Sequence, residues 1–167
     1  GVEDIDAANE FCKSIANSHY ENFPVGSILI AKKYRKHFFS VYSFARIADD
    51  ISDELIDYPP QFRISLLDKL LNLLKYPTII TDSKNNPIAL SLLSTMKTNK
   101  MPLEPFEKLI TAFKQDANFQ HPVSMEENIE YCGNSANPIG ELVLRIFDNF
   151  NNETSELSDS ICTGLQL

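Results

Sequence analysis

Apolar side chains recur at three- and four-residue intervals along most of the chain, the spacing that places them on one face of an α-helix. Prolines separate these segments, and the apolar–polar alternation typical of strands is absent. We therefore predict an all-α helical bundle. The predicted helices run from Ile5 to Ile15, Lys36 to Leu55, Pro60 to Leu74, Pro87 to Met96, Pro105 to Phe113, Ser124 to about Phe150 (with a bend at Pro138), and from Ser155 onwards.

Two of these helices have clear start signals. Pro60 suits the first helical position, and the residues predicted to form the buried stripe behind it are Phe62, Leu66, Leu70 and Leu74. The segment from Ser124 to Glu127 has the pattern of a capping box, so a helix is predicted to begin there.

The helix predicted from Lys36 to Leu55 carries the most informative polar pattern. Tyr42, Arg46, Asp49 and Asp53 are spaced so that all four lie along one edge of the helix. Asp49 and Asp53 are one turn apart, and like charges at this spacing repel each other. The pair would therefore favour a divalent cation such as Mg²⁺, while Arg46 offers a planar fork of donors to a phosphate.

An alternative for the same edge is a solvated helix face on which Arg46 pairs with Asp49 or Asp50. Ion pairs of this kind are common on protein surfaces and contribute little to stability. The spacing alone leaves both interpretations open.

Composition narrows the class of protein. The chain has 167 residues, enough for a domain with a core, and its five glycines are too few for the many tight turns of a sandwich or barrel. The formal net charge of −8 argues against a nucleic-acid surface. Three widely spaced cysteines lack zinc-ligand spacing and predict buried thiols in a reducing cytosol: Cys12, Cys132 and Cys162. No signal peptide or membrane-spanning stretch is expected.

Four separated blocks, in order, resemble the squalene/phytoene synthase family. Residues 42–54 (YSFARIADDISDE) resemble its first aspartate-rich motif. Residues 19–25 (HYENFPV), 131–140 (YCGNSANPIG) and 158–167 (SDSICTGLQL) resemble the bacterial hopanoid-pathway branch, the hydroxysqualene synthases. The resemblance covers essentially the whole chain, as the N-terminal portion (1–167) of a single isoprenoid-synthase-like domain.

The resemblance implies roles for individual residues. Asp49 and Asp53 would hold Mg²⁺ against a prenyl diphosphate, and Arg46 and Tyr42 would contact the diphosphate or the nascent cation. The other residues implied to contact substrate are Asn22 and Phe23 at the front of the diphosphate pocket, Asp116, Asn137 and Gln166.

Outside the aspartate motif, Asp116 and the segment 133–140 have two interpretations each, and the three histidines are assigned a location only. Asp116 follows an apolar stripe and either serves the cavity or ends its helix at the surface. The small residues of 133–140 either bend the helix around a long substrate or allow close helix packing. Among the histidines, His37 and His121 are predicted at the surface and His19 near the pocket mouth.

The resemblance also implies an activity. We expect a Mg²⁺-dependent enzyme of head-to-head isoprenoid coupling, or of conversion of presqualene diphosphate to hydroxysqualene, with farnesyl or presqualene diphosphate as substrate. A second aspartate-rich motif is expected beyond Leu167, so this chain by itself is expected to be truncated and inactive, and to self-associate through uncovered apolar faces. A cytoplasmic location with peripheral membrane contact is expected. The alternative is a non-catalytic relative that serves as a binding or assembly module.

Overall fold

The computed structural model describes residues 2–19, 30–80 and 83–167, and these residues form α-helices and short 3₁₀ helices without a β-strand. The predicted all-α class is therefore confirmed. The α-helices are α1 (Val2–Ser18), α2 (Lys32–Asp53), α3 (Pro60–Lys75), α4 (Pro87–Thr98), α5 (Glu104–Ala117), α6 (Met125–Ser135), α7 (Asn137–Ile146) and α8 (Asn152–Gln166). The 3₁₀ helices are Pro77–Ile79 and Ser83–Asn85.

Helix α2 is the central element of the bundle. It packs against α1, α3, α4, α5 and α7. Its apolar arc enters the main core through Val41, Phe44 and Ala48. The ring of Phe44 meets that of Phe106 on α5 edge to face, with 5.3 Å between centroids. Burial of each such side chain contributes about 1.5–3 kcal/mol, so this contact ties α2 firmly to α5.

Helix α3 begins with Pro60 at its first turn, as predicted, and Leu74 is buried as predicted, but the other three residues of the predicted stripe lie one position before the buried ones. Phe62 is exposed, and Leu66 and Leu70 are only partly buried. The buried residues are Arg63, Leu67, Leu71 and Leu74. The apolar pattern did not mark this face in the first turn because its buried position is occupied by a charged side chain, Arg63.

The helix predicted from Ser124 to about Phe150 is two helices. The hydroxyl of Ser124 accepts the Glu127 amide at 3.1 Å and caps α6 as expected, while the Glu127 carboxylate accepts the Val123 amide at 2.8 Å. The helix is interrupted at Ala136, just before Pro138, and α7 ends at Ile146. A proline removes one helix hydrogen bond, which explains why the helix restarts here.

Helices α7 and α8 approach each other closely at Gly140. A Cβ atom at this position would lie 2.3 Å from the Ser158 hydroxyl oxygen and 2.7 Å from the Cys162 sulfur. Close helix packing is thus one function of the small residues in 133–140. Cys12 and Cys132 are buried free thiols, whereas Cys162 is only partly buried, which corrects the prediction for that residue.

The structure also corrects the prediction for His37. This side chain is 6% exposed rather than at the surface, and its Nδ1 lies 3.0 Å from the Thr95 hydroxyl. The hydroxyls of Thr95, Ser40 and Ser91 continue the hydrogen-bonded chain through the interface of α2 and α4. Burial lowers the pKa of His37, and the neighbouring Lys36 adds to that effect. His121 is exposed, as predicted.

Candidate active site

The polar edge of α2 borders an open cavity of about 200 Å³. Tyr42, Arg46 and Asp49 line it together with Ala45, and Phe113 of α5 forms the facing wall. Asp53 lies one turn beyond Asp49 and is exposed. Regular helix geometry produces this arrangement, since residues four and seven apart share a face. Three of the four residues of the edge identified in the sequence therefore face a hollow between α2 and α5, whereas Asp53 does not line it.

The guanidinium of Arg46 is held by acids of its own helix and the turn after it. Its Nη2 lies 2.6 Å from Asp50 and 2.8 Å from Glu54, and its Nη1 lies 3.5 Å from Asp49. The ion pairing offered by the alternative interpretation is thus present. It coexists with the cavity, because Arg46 also lines the wall beside Asp49.

Asp49 sits in an environment that disfavours its negative charge. Partial burial raises the pKa of Asp49, and the nearby charge of Asp53 raises it further, while Arg46 opposes both effects. Asp50 and, more weakly, Asp116 of α5 also raise this pKa. A cation between the α2 carboxylates would relieve that repulsion.

Asp116 forms a pair with a residue whose role the sequence did not reveal. The hydroxyl of Tyr131, on α6, donates to both carboxylate oxygens of Asp116, at 2.8 and 3.0 Å. Burial raises the pKa of Asp116, the Tyr131 hydrogen bond opposes this, and Asp53 raises the pKa further. The interpretation of Asp116 as a frayed helix end is therefore wrong, since this carboxylate is partly buried and bound by another helix.

Tyr131 is buried to a similar extent. Burial raises its pKa, and the hydrogen bond to Asp116 and the charges of Asp116 and Asp53 act in the same direction. The phenol is therefore neutral at physiological pH and able to donate. Its position in the block 131–140 was the only sequence signal that marked it.

Two further residues predicted to contact substrate, Asn137 and Gln166, do not line this cavity. The Asn137 side-chain oxygen accepts the Thr163 hydroxyl at 3.0 Å, a contact between α7 and α8. Gln166 is exposed at the end of α8. Asn22 and Phe23 lie outside the described residues, as does most of the block 19–25.

The described part of the chain contains no group of three or more His, Cys, Asp or Glu residues arranged to hold a metal ion. Two carboxylates, Asp49 and Asp53, are nevertheless what Mg²⁺ takes from a protein when substrate phosphate and water supply its other ligands. The raised pKa of Asp49 next to Asp53 fits such a role, because the pair gains from a positive charge.

Comparison with known proteins identifies the family. The squalene/phytoene synthase family model matches residues 16–167. The chain belongs to the squalene/phytoene synthase family. Within the squalene/phytoene synthases it resembles the hydroxysqualene synthase of Zymomonas mobilis, with 30% identity over 149 residues that cover 88% of this chain and 48% of that protein. The hydroxysqualene synthase of Sinorhizobium fredii is 32% identical over 155 residues, 93% of this chain and 51% of that protein.

Solved structures of this family show the same fold. A squalene synthase, HpnC, from Alicyclobacillus acidocaldarius superposes with a TM-score of 0.86 and 36% identity, over 99% of this chain and 60% of that chain. A dehydrosqualene synthase superposes with a TM-score of 0.76 at 20% identity, which indicates the fold alone. The chain thus spans about half the length of the curated relatives it matches. None of the described helices is long and apolar enough to cross a membrane.

Proposed function

We propose that the protein is a Mg²⁺-dependent enzyme that acts on a prenyl diphosphate. The reaction is head-to-head isoprenoid coupling or the conversion of presqualene diphosphate to hydroxysqualene. Membership of the squalene/phytoene synthase family supports this reaction class, and the hydroxysqualene synthases among its relatives favour the second reaction. The observation that carries the proposal is the placement of Asp49 beside a cavity, one turn from Asp53.

In this proposal the α2 edge binds the diphosphate end of the substrate. Asp49 and Asp53 would hold Mg²⁺, which supplies positive charge to the departing diphosphate. Arg46 keeps a further positive charge on the cavity wall, and a diphosphate that contacts it would have to compete with Asp50 and Glu54. Tyr42 and Phe113 line the same cavity and would lie next to the reacting end of the prenyl chain.

Asp116 and Tyr131 would form the facing side of the site. Tyr131 is neutral and donates its only hydroxyl proton to Asp116, so the pair offers acceptor oxygens that are held in place and no free donor. Both residues are close enough to Asp53 for its charge to raise their pKa values. Binding of a cation at Asp53 should therefore lower both pKa values.

Substitution of Asp49 tests the proposal. The experiment uses protein expressed from its complete reading frame, with presqualene diphosphate and Mg²⁺. Asp49→Asn keeps the size of the side chain but removes its charge, and we expect turnover to fall by about 100-fold or more. The matched control, Asp57→Asn, changes an exposed acid after α2 and should alter turnover by less than about 2-fold.

Unchanged turnover in Asp49→Asn would show that the metal role is misassigned. Calorimetric titration with Mg²⁺ and a farnesyl diphosphate analogue distinguishes the non-catalytic alternative, because absence of heat from the wild-type protein would favour a binding or assembly module over an enzyme.

Peripheral membrane contact and self-association remain predictions. The second is supported by α8, whose exposed Leu157, Ile161 and Leu165 recur at four-residue intervals along one face.

A further inference from the structure

Arg63, on the first turn of α3, is a buried cation with an unusual set of partners. Its side chain is 1% exposed, and among the described residues its guanidinium forms no ion pair with a carboxylate. Burial of an unpaired charge costs several kcal/mol. The side chain must therefore gain its stabilisation from other groups.

Those groups are the carboxyl ends of two helices. Nη1 of Arg63 donates to the carbonyl of Ser52 in the last turn of α2, and Nη2 donates to the carbonyl of Ala117, the last residue of α5, at 2.7 Å. Carbonyls at a helix end lack partners within the helix and carry the negative end of its dipole. One planar guanidinium thus satisfies both helix ends at once, which a point charge such as an ammonium cannot do as well.

The backbone after α5 adds an independent observation. Phe119 adopts a left-handed conformation, with φ at 56°, which is costly for a bulky residue. The Phe119 amide donates to the backbone carbonyl of Asp116 at 2.8 Å and the Gln120 amide to the backbone carbonyl of Gln115 at 3.0 Å, which closes the helix end. The Phe119 ring lies 5.0 Å from the guanidinium carbon of Arg63, so the same cation also holds this strained turn.

Both carbonyls stand next to carboxylates of the candidate active site. Ser52 precedes Asp53 and follows Asp49 within one turn, and Ala117 follows Asp116 directly. A shift of either helix end would move the neighbouring carboxylate with it.

We propose that Arg63 is a positioning residue, which sets the distance between the Asp49–Asp53 pair and the Asp116–Tyr131 pair by joining the carboxyl ends of α2 and α5. The inference rests on the proposed function, because the spacing matters to the metal site assigned there. Arg63 itself need not touch substrate or metal.

The test compares three variants of the protein from its complete reading frame. Arg63→Met removes the charge. Arg63→Lys keeps the charge but lacks the planar guanidinium, and it serves as the second variant in case Arg63→Met does not fold. The control, Leu67→Ala, truncates a fully buried side chain one turn further along α3 and weakens the core without touching either carbonyl.

The first measurement needs neither metal nor substrate. Amide hydrogen exchange at Phe119 and Gln120 is compared with that of amides in the middle of α5. Both Arg63 variants should accelerate exchange at the helix end by about tenfold relative to the helix middle. Leu67→Ala should change the two regions in parallel. The proposal that Arg63 joins the two helix ends would be overturned if all three variants changed exchange at the helix end and in the helix middle equally. Exchange at the wild-type rate in Arg63→Lys would overturn it as well.

The second measurement is the Mg²⁺ concentration at half-maximal turnover of presqualene diphosphate. Loss of a group that orients metal ligands typically weakens metal affinity by about 10- to 100-fold, and we expect a rise in this range for both Arg63 variants. Leu67→Ala should stay within about 3-fold of wild type. A comparable rise of this Mg²⁺ concentration in Leu67→Ala would show that Arg63 contributes only as part of the core. Wild-type protein without Mg²⁺-dependent turnover would instead refute the proposed function, and the exchange measurement would still decide whether Arg63 joins the helix ends.

Discussion

Removal of one hydroxyl, in Tyr131→Phe, should destabilise the folded protein in a way that depends on pH. The hydroxyl donates to both oxygens of the partly buried Asp116, at 2.8 and 3.0 Å. Hydrogen bonds to a charged group contribute about 1.5–3 kcal/mol, and those between neutral groups about 0.5–1.5 kcal/mol. We therefore expect a loss of about 1.5–3 kcal/mol in the free energy of unfolding at neutral pH, where Asp116 is ionised.

The sign of the pH dependence follows from the raised pKa of Asp116, which exceeds its ordinary value of 3.8 because of burial. Ionisation of this group destabilises the folded state; as pH falls, the penalty begins to decrease at the raised folded-state pKa and is gone below the ordinary pKa of 3.8. The Tyr131 hydrogen bond lowers the pKa of Asp116. Without that bond the penalty is larger and its relief begins at a higher pH, so the effect of Tyr131→Phe should shrink as the solution is acidified.

Chemical denaturation at neutral pH and at about pH 4 measures this difference. Tyr76→Phe is the matched control, because Tyr76 is 58% exposed and its substitution should change the free energy of unfolding by less than about 0.5 kcal/mol. Equal effects of the two substitutions at neutral pH, or a larger effect of Tyr131→Phe in acid, would refute the assignment of Tyr131 as the donor that stabilises ionised Asp116.

Two further predictions concern the packing that supports the site. Gly140→Ala should lower the free energy of unfolding by about 1–3 kcal/mol, because its Cβ would collide with Ser158 and Cys162. Gly133→Ala is the control: no atom lies within 4 Å of its Cβ, and it should raise the free energy of unfolding by about 0.5–1 kcal/mol. Thermal unfolding that ranks the two variants the other way would contradict the close approach of α7 and α8. Ser91→Ala should cost about 1–3 kcal/mol in chemical denaturation, because it removes a donor to Asn9 and a partner of Ser40 from a buried chain of hydroxyls, and a neutral result would show that the remaining groups find other partners.

Much of the architecture was predictable from the chain because helices bury one face, and the spacing of apolar residues records that face directly. The edge of α2 is the clearest case, since the positions of Arg46, Asp49 and Asp53 on one side follow from helix geometry alone. The cavity beside this edge was not predictable in the same way. Its facing wall comes from Phe113 on α5, which is 60 residues or more further along the chain.

Errors occurred where a polar side chain is buried. His37 was predicted at the surface and Arg63 was overlooked, because charged and polar residues are mostly exposed. Each is buried because partners from other helices satisfy it: the carbonyls of Ser52 and Ala117 in one case and the Thr95 hydroxyl in the other. Tyr131 was missed for the same reason. Such partners are created by tertiary structure, so no local pattern announces them.

The balance of charge around the cavity gives the strongest physical reason to expect a cation there. Arg63 is committed to backbone carbonyls, and Arg46 is shared among Asp49, Asp50 and Glu54. Among the residues that the structure describes, the acids of α2 and α5 beside the cavity therefore outnumber the cations that face them, and their mutual repulsion contributes to the raised pKa values of Asp49 and Asp116. A fold that keeps acids close together, and holds the ends of their helices with a buried guanidinium, retains a repulsion that a bound divalent cation would convert into attraction.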